Sequence, residues 1–199
     1  MPPPLLYYIR HGETDWNVEG RLQGRRDIPL NATGRTQARR CGEILRELLA
    51  RDGPDASGLD FVSSPLGRAR TTMEIVRSAL GIAPDAYRID ARLIEIGFGT
   101  WEGSTTKELR RQDPDTYAAR ERDKWRFAPP QGESYADVSL RVDAWYRALS
   151  GDSVAVAHGG TLRGLVAVLG IMSESEAPML DVAQGVVYLI ADGQMTRYA

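Results

Sequence analysis

Leu5-Leu6-Tyr7-Tyr8-Ile9-Arg10-His11-Gly12-Glu13-Thr14-Asp15-Trp16-Asn17 is the stretch on which the reading of this chain turns. Its first five residues are aliphatic or aromatic and too few for a helix, so they predict a buried strand. The strand stops at a cation, an imidazole and a glycine. Such a trio builds a poor core, but it sets a reactive side chain at a sheet edge with backbone amides close by. Val154-Ala155-Val156-Ala157 repeats the pattern and runs into His158-Gly159-Gly160. The chain has only two histidines. Both follow the carboxyl end of a predicted strand, and both are followed by glycine. In open α/β sheets that edge is where ligands bind.

Composition narrows the classes. At 199 residues the chain is long enough for one full-sized core. No linker, repeat or low-complexity tract divides it, so one domain over residues 1–199 is expected. Apolar content of 42% with 26% charged residues is that of a globular protein. A net charge of −2 argues against a basic nucleic-acid binder. The lone Cys41 excludes an intrachain disulfide and reads as a small buried residue in a helix. The opening Met1-Pro2-Pro3-Pro4 does not resemble a signal peptide, and the apolar run Leu165 to Met172 is too short to span a bilayer. The expectation is a cytoplasmic, enzyme-like domain with no membrane segment.

Outward from the first motif, residues 20–30 are rich in glycine and arginine and read as a loop. Arg21, Arg25 and Arg26 are either solvated or turned toward an anion, and Gln23-Gly24 offers an amide to a ligand. Thr33 is read as the cap of a helix from about Gly34 to Arg51, with Ala38, Cys41, Ile44, Leu45, Leu48 and Leu49 as its apolar stripe. Leu59 to Val62 predicts a second strand. Ser64 is read as the N-cap of the next helix, with Pro65 in its first position and Gly81 beyond its end. Arg68 and Arg70 then fall near the helix start, where a cation is disfavoured unless an anion shares the site.

Glu95 sits between apolar Ile94 and Ile96. Burial there favours the neutral acid, which suits a proton donor; the plain alternative is a strand carboxylate facing solvent, and Glu102 is its rival. Residues 104–133 predict two short helices and a loop, a natural lid or pocket wall. Trp101, Trp125 and Phe127 are either pocket or core. Ser134 with Asp137 forms a capping box for a helix bearing Val138, Val142, Trp145 and Leu149, with Gly151 as its stop. A helix from about Thr161 to Leu169 follows the second histidine. Gln184 to Ala191, Asp192-Gly193 and Gln194 to Tyr198 predict a closing hairpin.

Two histidines, arginines and a carboxyl group at one sheet edge suit phosphoryl transfer, whose transition state spreads negative charge over three oxygens. A neutral imidazole can attack phosphorus, arginines can neutralise the oxygens, and a carboxylic acid can protonate the departing alkoxide. Metal catalysis fits less well, because no H-E-x-x-H spacing is present. A P-loop and a G-x-S-x-G elbow are also missing.

Arg10-His11-Gly12-Glu13-Thr14 resembles the signature of the histidine phosphatase superfamily, also called phosphoglycerate mutase-like. The resemblance continues through Gln23-Gly24, Pro29-Leu30, Ser64-Pro65 with Arg68-Ala69, Leu93-x-Glu95, Gly99-x-Trp101-Glu102-Gly103, Gly132-Glu133-Ser134 and His158-Gly159. It implies a three-layer α/β/α fold with a mostly parallel sheet. It also implies that His11 is phosphorylated, that Arg10, Arg68 and His158 form the phosphate pocket, and that Glu95 donates the proton. Asn17, Gln23 and Gly24 match substrate-lining positions. Cofactor-dependent mutases of the family carry Arg-His-Tyr after the catalytic glutamate, whereas here Ile96-Gly97-Phe98 follows Glu95. With the short insertion, that departure looks like the phosphatase branch. The expected activity is a phosphomonoester hydrolase on a small-molecule substrate, with neither cofactor nor metal. A mutase-type phosphotransferase is the alternative, and a non-catalytic phosphate-binding module a further one. Family members often dimerise, so a homodimer is open, with no segment marking its interface.

Overall fold

The computed structural model describes residues 4–199, apart from the side chain of Asp52. The Met1-Pro2-Pro3 opening, and the reading that no signal peptide begins there, lies outside the described residues. The chain is a mixed α/β fold around a six-stranded sheet of order β3-β2-β4-β1-β5-β6. In chain order these are β1 (Leu6–Arg10), β2 (Asp60–Ser63), β3 (Arg88–Ile89), β4 (Ser153–Ala157), β5 (Val187–Ala191) and β6 (Gln194–Tyr198). β1, β4, β2 and β3 pair in parallel, and β5 runs antiparallel to both β1 and β6. β1 and β4 lie side by side in the middle, with Arg10 opposite Ala157. Parallel pairing of adjacent strands brings their carboxyl ends, and hence His11 and His158, to one edge.

The alternation of the strands sorts the core into two layers. Leu6, Tyr8, Ala155 and Ala157 face α6 (Tyr135–Tyr146) and α7 (Gly159–Val168). Tyr7, Ile9, Val154 and Val156 face α2 (Ala32–Asp52) and α3 (Gly67–Ala79). Both faces of the central strands are therefore covered, which is why they read as continuous apolar runs. The helical stripe on α2 is buried as expected: Ala38, Cys41, Ile44, Leu45 and Leu48 lie inside. Burial pushes the Cys41 thiol up to about 12, as suits a small apolar side chain with no role as a nucleophile.

Several boundaries differ from the sequence reading. Asn31, and not Thr33, caps α2, accepting from Gly34 N at 2.8 Å. Thr33 therefore lies inside the first turn. α3 starts at Gly67 and has no cap from its own Leu66. Asp27, forty residues upstream, supplies the cap: Oδ2 accepts from Gly67 N at 2.6 Å and Oδ1 from Arg68 N at 3.3 Å. A cap from another loop leaves no local signature, so Ser64 looked like the better candidate. α6 ends at Tyr146 with Arg147 as its cap, before Gly151. α7 begins directly at Gly159 with His158 as its N-cap, two residues before the expected start.

The segment around Glu95 is not a strand. Ala91–Leu93 is one turn of 3₁₀ helix, and the chain then crosses as a loop to a second such turn at Gly99–Trp101. β3, only two residues long, was too short to leave a periodic pattern. The insertion holds α4 (Thr106–Gln112) and α5 (Pro114–Arg122), matching the two expected short helices. A single turn, α1 (Asp15–Val18), completes seven helices among the described residues. The closing hairpin turns at Asp192 and Gly193, both with positive φ (49° and 72°), the backbone that a two-residue turn between twisted strands requires. Among the described residues no helix is long and apolar enough to cross a membrane.

Candidate active site

Gly12 lets the His11 loop sit against α2. A Cβ on Gly12 would collide with the backbone of Gly34, and one on Gly34 would collide with Glu13. Two glycines therefore face each other where two backbones touch, and no larger pair fits. The loop is then pinned on both sides. Gly12 N donates to Thr72 Oγ1 at 3.1 Å, Glu13 N donates to Gln37 Oε1 at 2.8 Å, and Gln184 Nε2 donates to the His11 carbonyl at 3.0 Å.

The imidazole of His11 is 2% exposed. Its Nδ1 lies 2.7 Å from the Gly12 carbonyl. A carbonyl only accepts, so Nδ1 carries the proton and Nε2 keeps its lone pair. Arg68 Nε donates to that Nε2 at 3.3 Å. Burial first, then the nearby Arg68 and Arg10 guanidinium groups, hold the imidazole well below its usual titration range. The ring is neutral at physiological pH and its unprotonated nitrogen is available to a ligand.

Arg68 is 1% exposed. Its side chain reaches from the first turn of α3 to the 20–27 loop, donating to the carbonyls of Arg26 at 2.6 Å and Gly24 at 2.8 Å. Its nearest carboxylate oxygen, on Asp27, lies 3.7 Å away. Arg70, by contrast, is exposed and points outward, with Nε 3.5 Å from the Tyr87 hydroxyl.

His158 is fully buried, with its ring centroid 5.2 Å from that of His11. Tyr8 and Thr161 hold its backbone: the Tyr8 hydroxyl donates to the His158 carbonyl at 2.7 Å, and His158 N donates to Thr161 Oγ1 at 3.0 Å. Nε2 meets Ser64 Oγ at 2.6 Å, while Nδ1 is buried without a partner. Burial, then Arg68, His11 and Arg10, lower its titration well below the usual range.

Arg10 donates through Nη1 to the Val182 carbonyl at 2.6 Å, and its Nε is buried without a partner. Gln23 is buried, and its Oε1 is also unpartnered. Arg10 Nε is a donor, and His158 Nδ1 is one in the tautomer that carries its hydrogen there; oxygens of an anionic ligand would satisfy both, whereas Gln23 Oε1 accepts and would take a donor from the ligand. Asn17 completes the capping box that Thr14 forms at the start of the small helix α1, and accepts from Gln184 Nε2 at 3.1 Å.

A cleft of about 140 Å³ has Arg10, His11, Asn17, Gln23, Gly24 and Arg68 in its lining, together with Glu95, Ile96, Phe98, Gly160 and Arg163. His158 itself is not in the lining, although the adjoining Gly159 and Gly160 are, and its ring lies 5.2 Å from that of His11. The sequence-derived residues thus converge on one place. The volume is below that of ordinary small-molecule sites, enough for a phosphoryl-sized head with the remainder of a ligand at the mouth. Glu95 is half-buried and not enclosed as its apolar neighbours suggested. A Cβ on Gly160 would collide with its carboxylate and with Ile96, so the glycine after His158-Gly159 is what lets Glu95 lie over α7.

Other residues settle into supporting positions. Arg21 lines the cleft but is committed to Glu19 at 2.6 Å, the Gly103 carbonyl at 2.7 Å and Glu108 at 3.3 Å. Arg26 stacks on Trp16, 5.9 Å from the ring centroid. Glu102 lies outside the cleft lining. Trp101 stacks on Phe127, and Trp125 on Tyr135, all as packing. No residue of 104–133, expected as a lid or pocket wall, lines this cleft; the segment joins the 20–27 loop through the Ser104 carbonyl, which accepts from Leu22 N at 3.0 Å. Sequence reasoning missed Ser64 as the partner of His158, and missed Thr72, Gln184 and Arg163. Only Ser64 carried a signal, and its place before Pro65 pointed to a cap instead.

Comparison with known proteins agrees with this geometry. The family model for the histidine phosphatase superfamily (branch 1) matches residues 6–194. The chain is 33% identical over 190 residues to a 2,3-bisphosphoglycerate-dependent phosphoglycerate mutase of Methylobacterium radiotolerans, covering 92% of this chain and 86% of that protein. Its fold is similar to that of a putative α-ribazole-5′-P phosphatase from Escherichia coli, with a TM-score of 0.78, 30% identity, and coverage of 98% and 94% of the two chains. It is also similar to a mycobacterial glucosyl-3-phosphoglycerate phosphatase in complex with VO3, with a TM-score of 0.76, 30% identity, and coverage of 98% and 96%.

Proposed function

The chain belongs to the histidine phosphatase superfamily, and from that premise we propose that it is a metal-independent phosphomonoester hydrolase working through a phosphohistidine on His11. The observation that carries the proposal is the state of His11: a buried neutral ring whose Nδ1 proton is spent on Gly12, leaving Nε2 facing Arg68 in a phosphate-sized cleft.

The reaction follows from the groups present. The phosphate of a small-molecule ester enters against Arg10 and Arg68: its oxygens take the unpartnered Arg10 Nε and draw Arg68 Nε away from His11 Nε2, which frees that nitrogen's lone pair to face phosphorus. The Nδ1–H of His158 supplies a further donor, with Ser64 holding its Nε2. His11 Nε2 attacks phosphorus, an N–P bond forms and the ester P–O bond breaks. The carboxylic acid of Glu95 protonates the leaving alkoxide. The resulting carboxylate then takes a proton from water, the hydroxide attacks phosphorus, the N–P bond breaks and phosphate leaves. Asn17, Gln23 and Gly24 line the entry. A bound dianion reverses the electrostatics that keep both imidazoles neutral, so positive charge on either ring becomes tolerable only with substrate in place.

Hydrolase is preferred over mutase on the character of the mouth. Ile96 and Phe98 project into the lining where mutases of the family carry charged and polar residues after the glutamate. The test is incubation with 3-phosphoglycerate and catalytic 2,3-bisphosphoglycerate, with EDTA present, beside a panel of phosphomonoesters. Release of inorganic phosphate from the panel that is lost in His11→Ala is expected. Rapid formation of 2-phosphoglycerate without phosphate release would establish the mutase instead.

A further inference from the structure

Glu95 does not stand on a strand, so something else must fix it. The three amides that follow it each donate to a different carboxylate. Ile96 N meets Glu95 Oε1 itself at 2.9 Å, Gly97 N meets Glu133 Oε2 at 3.0 Å, and Phe98 N meets Glu102 Oε1 at 3.2 Å. Glu133 also donates its own backbone N–H to the Gly97 carbonyl at 2.8 Å. The loop is suspended from its polar groups, as a strand would be from its neighbours.

The same two carboxylates reach across to the loop that grips Arg68. Glu102 Oε1 accepts from Arg25 N at 3.0 Å, and Glu133 Oε1 lies 2.9 Å from Arg25 Nη2. Arg25 sits between Gly24 and Arg26, whose carbonyls hold the Arg68 guanidinium. Gly24 makes room for this: it has φ 54°, and a Cβ there would strike the Glu102 carboxylate. Glu133 is tied in turn to α6 through Arg141, at 3.2 Å. Neither carboxylate lines the cleft.

We propose that Glu102 and Glu133 are positioning residues for Glu95: they hold the 96–98 backbone and join it to the Arg25 loop, so that the proton donor keeps a fixed place relative to Arg68. Two carboxylates that each accept from both loops tie the two backbones together, and a displacement of about 1 Å at a reacting group can cost about 100-fold in rate. The inference rests on the reading of Glu95 as the proton donor.

The test compares an alkyl phosphate, 2-glycerophosphate, with p-nitrophenyl phosphate, whose leaving group needs no proton. In Glu133→Ala and Glu102→Ala, kcat/KM for 2-glycerophosphate should fall about 100-fold and that for p-nitrophenyl phosphate by no more than about threefold. Glu133→Gln, which keeps an oxygen for Gly97 N, should show the same selectivity at reduced size. Adding Glu133→Ala to Glu95→Gln should cost little more than Glu95→Gln alone, because both act on one group. The alanine variants remove neighbouring acceptors independently, so either one that keeps a cooperative melt suffices, and Glu133→Gln serves if neither does. Equal losses on both substrates, or unchanged rates in a folded variant, would overturn the inference. If Glu95→Gln itself slows both substrates equally, the donor reading fails; if Glu95→Gln is selective and the Glu133 variants are not, only the positioning role fails.

Discussion

Ser64 shows how much one hydroxyl can govern. His158 has one nitrogen on Ser64 Oγ at 2.6 Å and the other buried without a partner. If the hydroxyl donates to Nε2, Nδ1 carries the hydrogen and faces the ligand as a donor. Ser64→Ala removes that restraint from a fully buried ring. A lost hydrogen bond of this kind is worth about 1 to 2 kcal/mol, so kcat/KM should fall on the order of tenfold while the fold is retained; steady-state kinetics beside a thermal melt would check both. Sequence placed His11 and His158 correctly, because each ends an apolar run and is followed by glycine. It could not place Ser64, because the bond spans 94 residues and no local spacing encodes it.

At the scale of elements, the start of α3 is the most exposed dependency. Its first amides are held by Asp27, which belongs to the loop whose carbonyls hold Arg68. Asp27→Ala should therefore cost about 1 kcal/mol, as for other lost caps. It should also weaken phosphate binding, because the Arg68 loop and the helix start come apart together. Denaturant melts and the inhibition constant of inorganic phosphate would measure the two effects separately; a stability loss with unchanged phosphate affinity would show that the cap does nothing for the site. The helices were legible from apolar spacing, to within a few residues at their ends. Their caps were less so: Asn31, not Thr33, caps α2, and α3 is capped from another loop. Leu93, Ile94 and Ile96 give the Glu95 segment the look of a buried strand, although Ile94 and Glu95 stay half-exposed and the amides go to carboxylates.

The whole molecule carries two neutral imidazoles in its interior, and this makes its stability pH-dependent. Both folded titration points lie well below 6.5, the value of the unfolded chain. As pH falls through 6.5 the unfolded state takes up protons that the native state refuses, so stability is present above that pH and is lost as acid is added. The carboxylates with lowered titration, Asp90, Asp137, Glu108 and Glu176, act in the same direction, but only below their unfolded values of 3.8 and 4.5. Between pH 6.5 and 5 the histidines alone among these groups should set the slope. Tm should fall across that window, and His158→Asn should flatten the fall; a Tm independent of pH from 7.5 to 5 in the native protein would contradict the buried neutral state.

By itself the sequence determined the layered α/β class, the two buried strands that end in histidine and the amphipathic helices. These depend on patterns within a few residues of one another, where apolar period and glycine spacing act directly on the backbone. Tertiary structure alone decided which strands are neighbours, that Arg68 turns inward and Arg70 outward, and that Glu95 hangs from Glu102 and Glu133. Those outcomes depend on which polar groups find partners once the core has closed. The energy of such pairing belongs to the assembled loops and to no single stretch of chain.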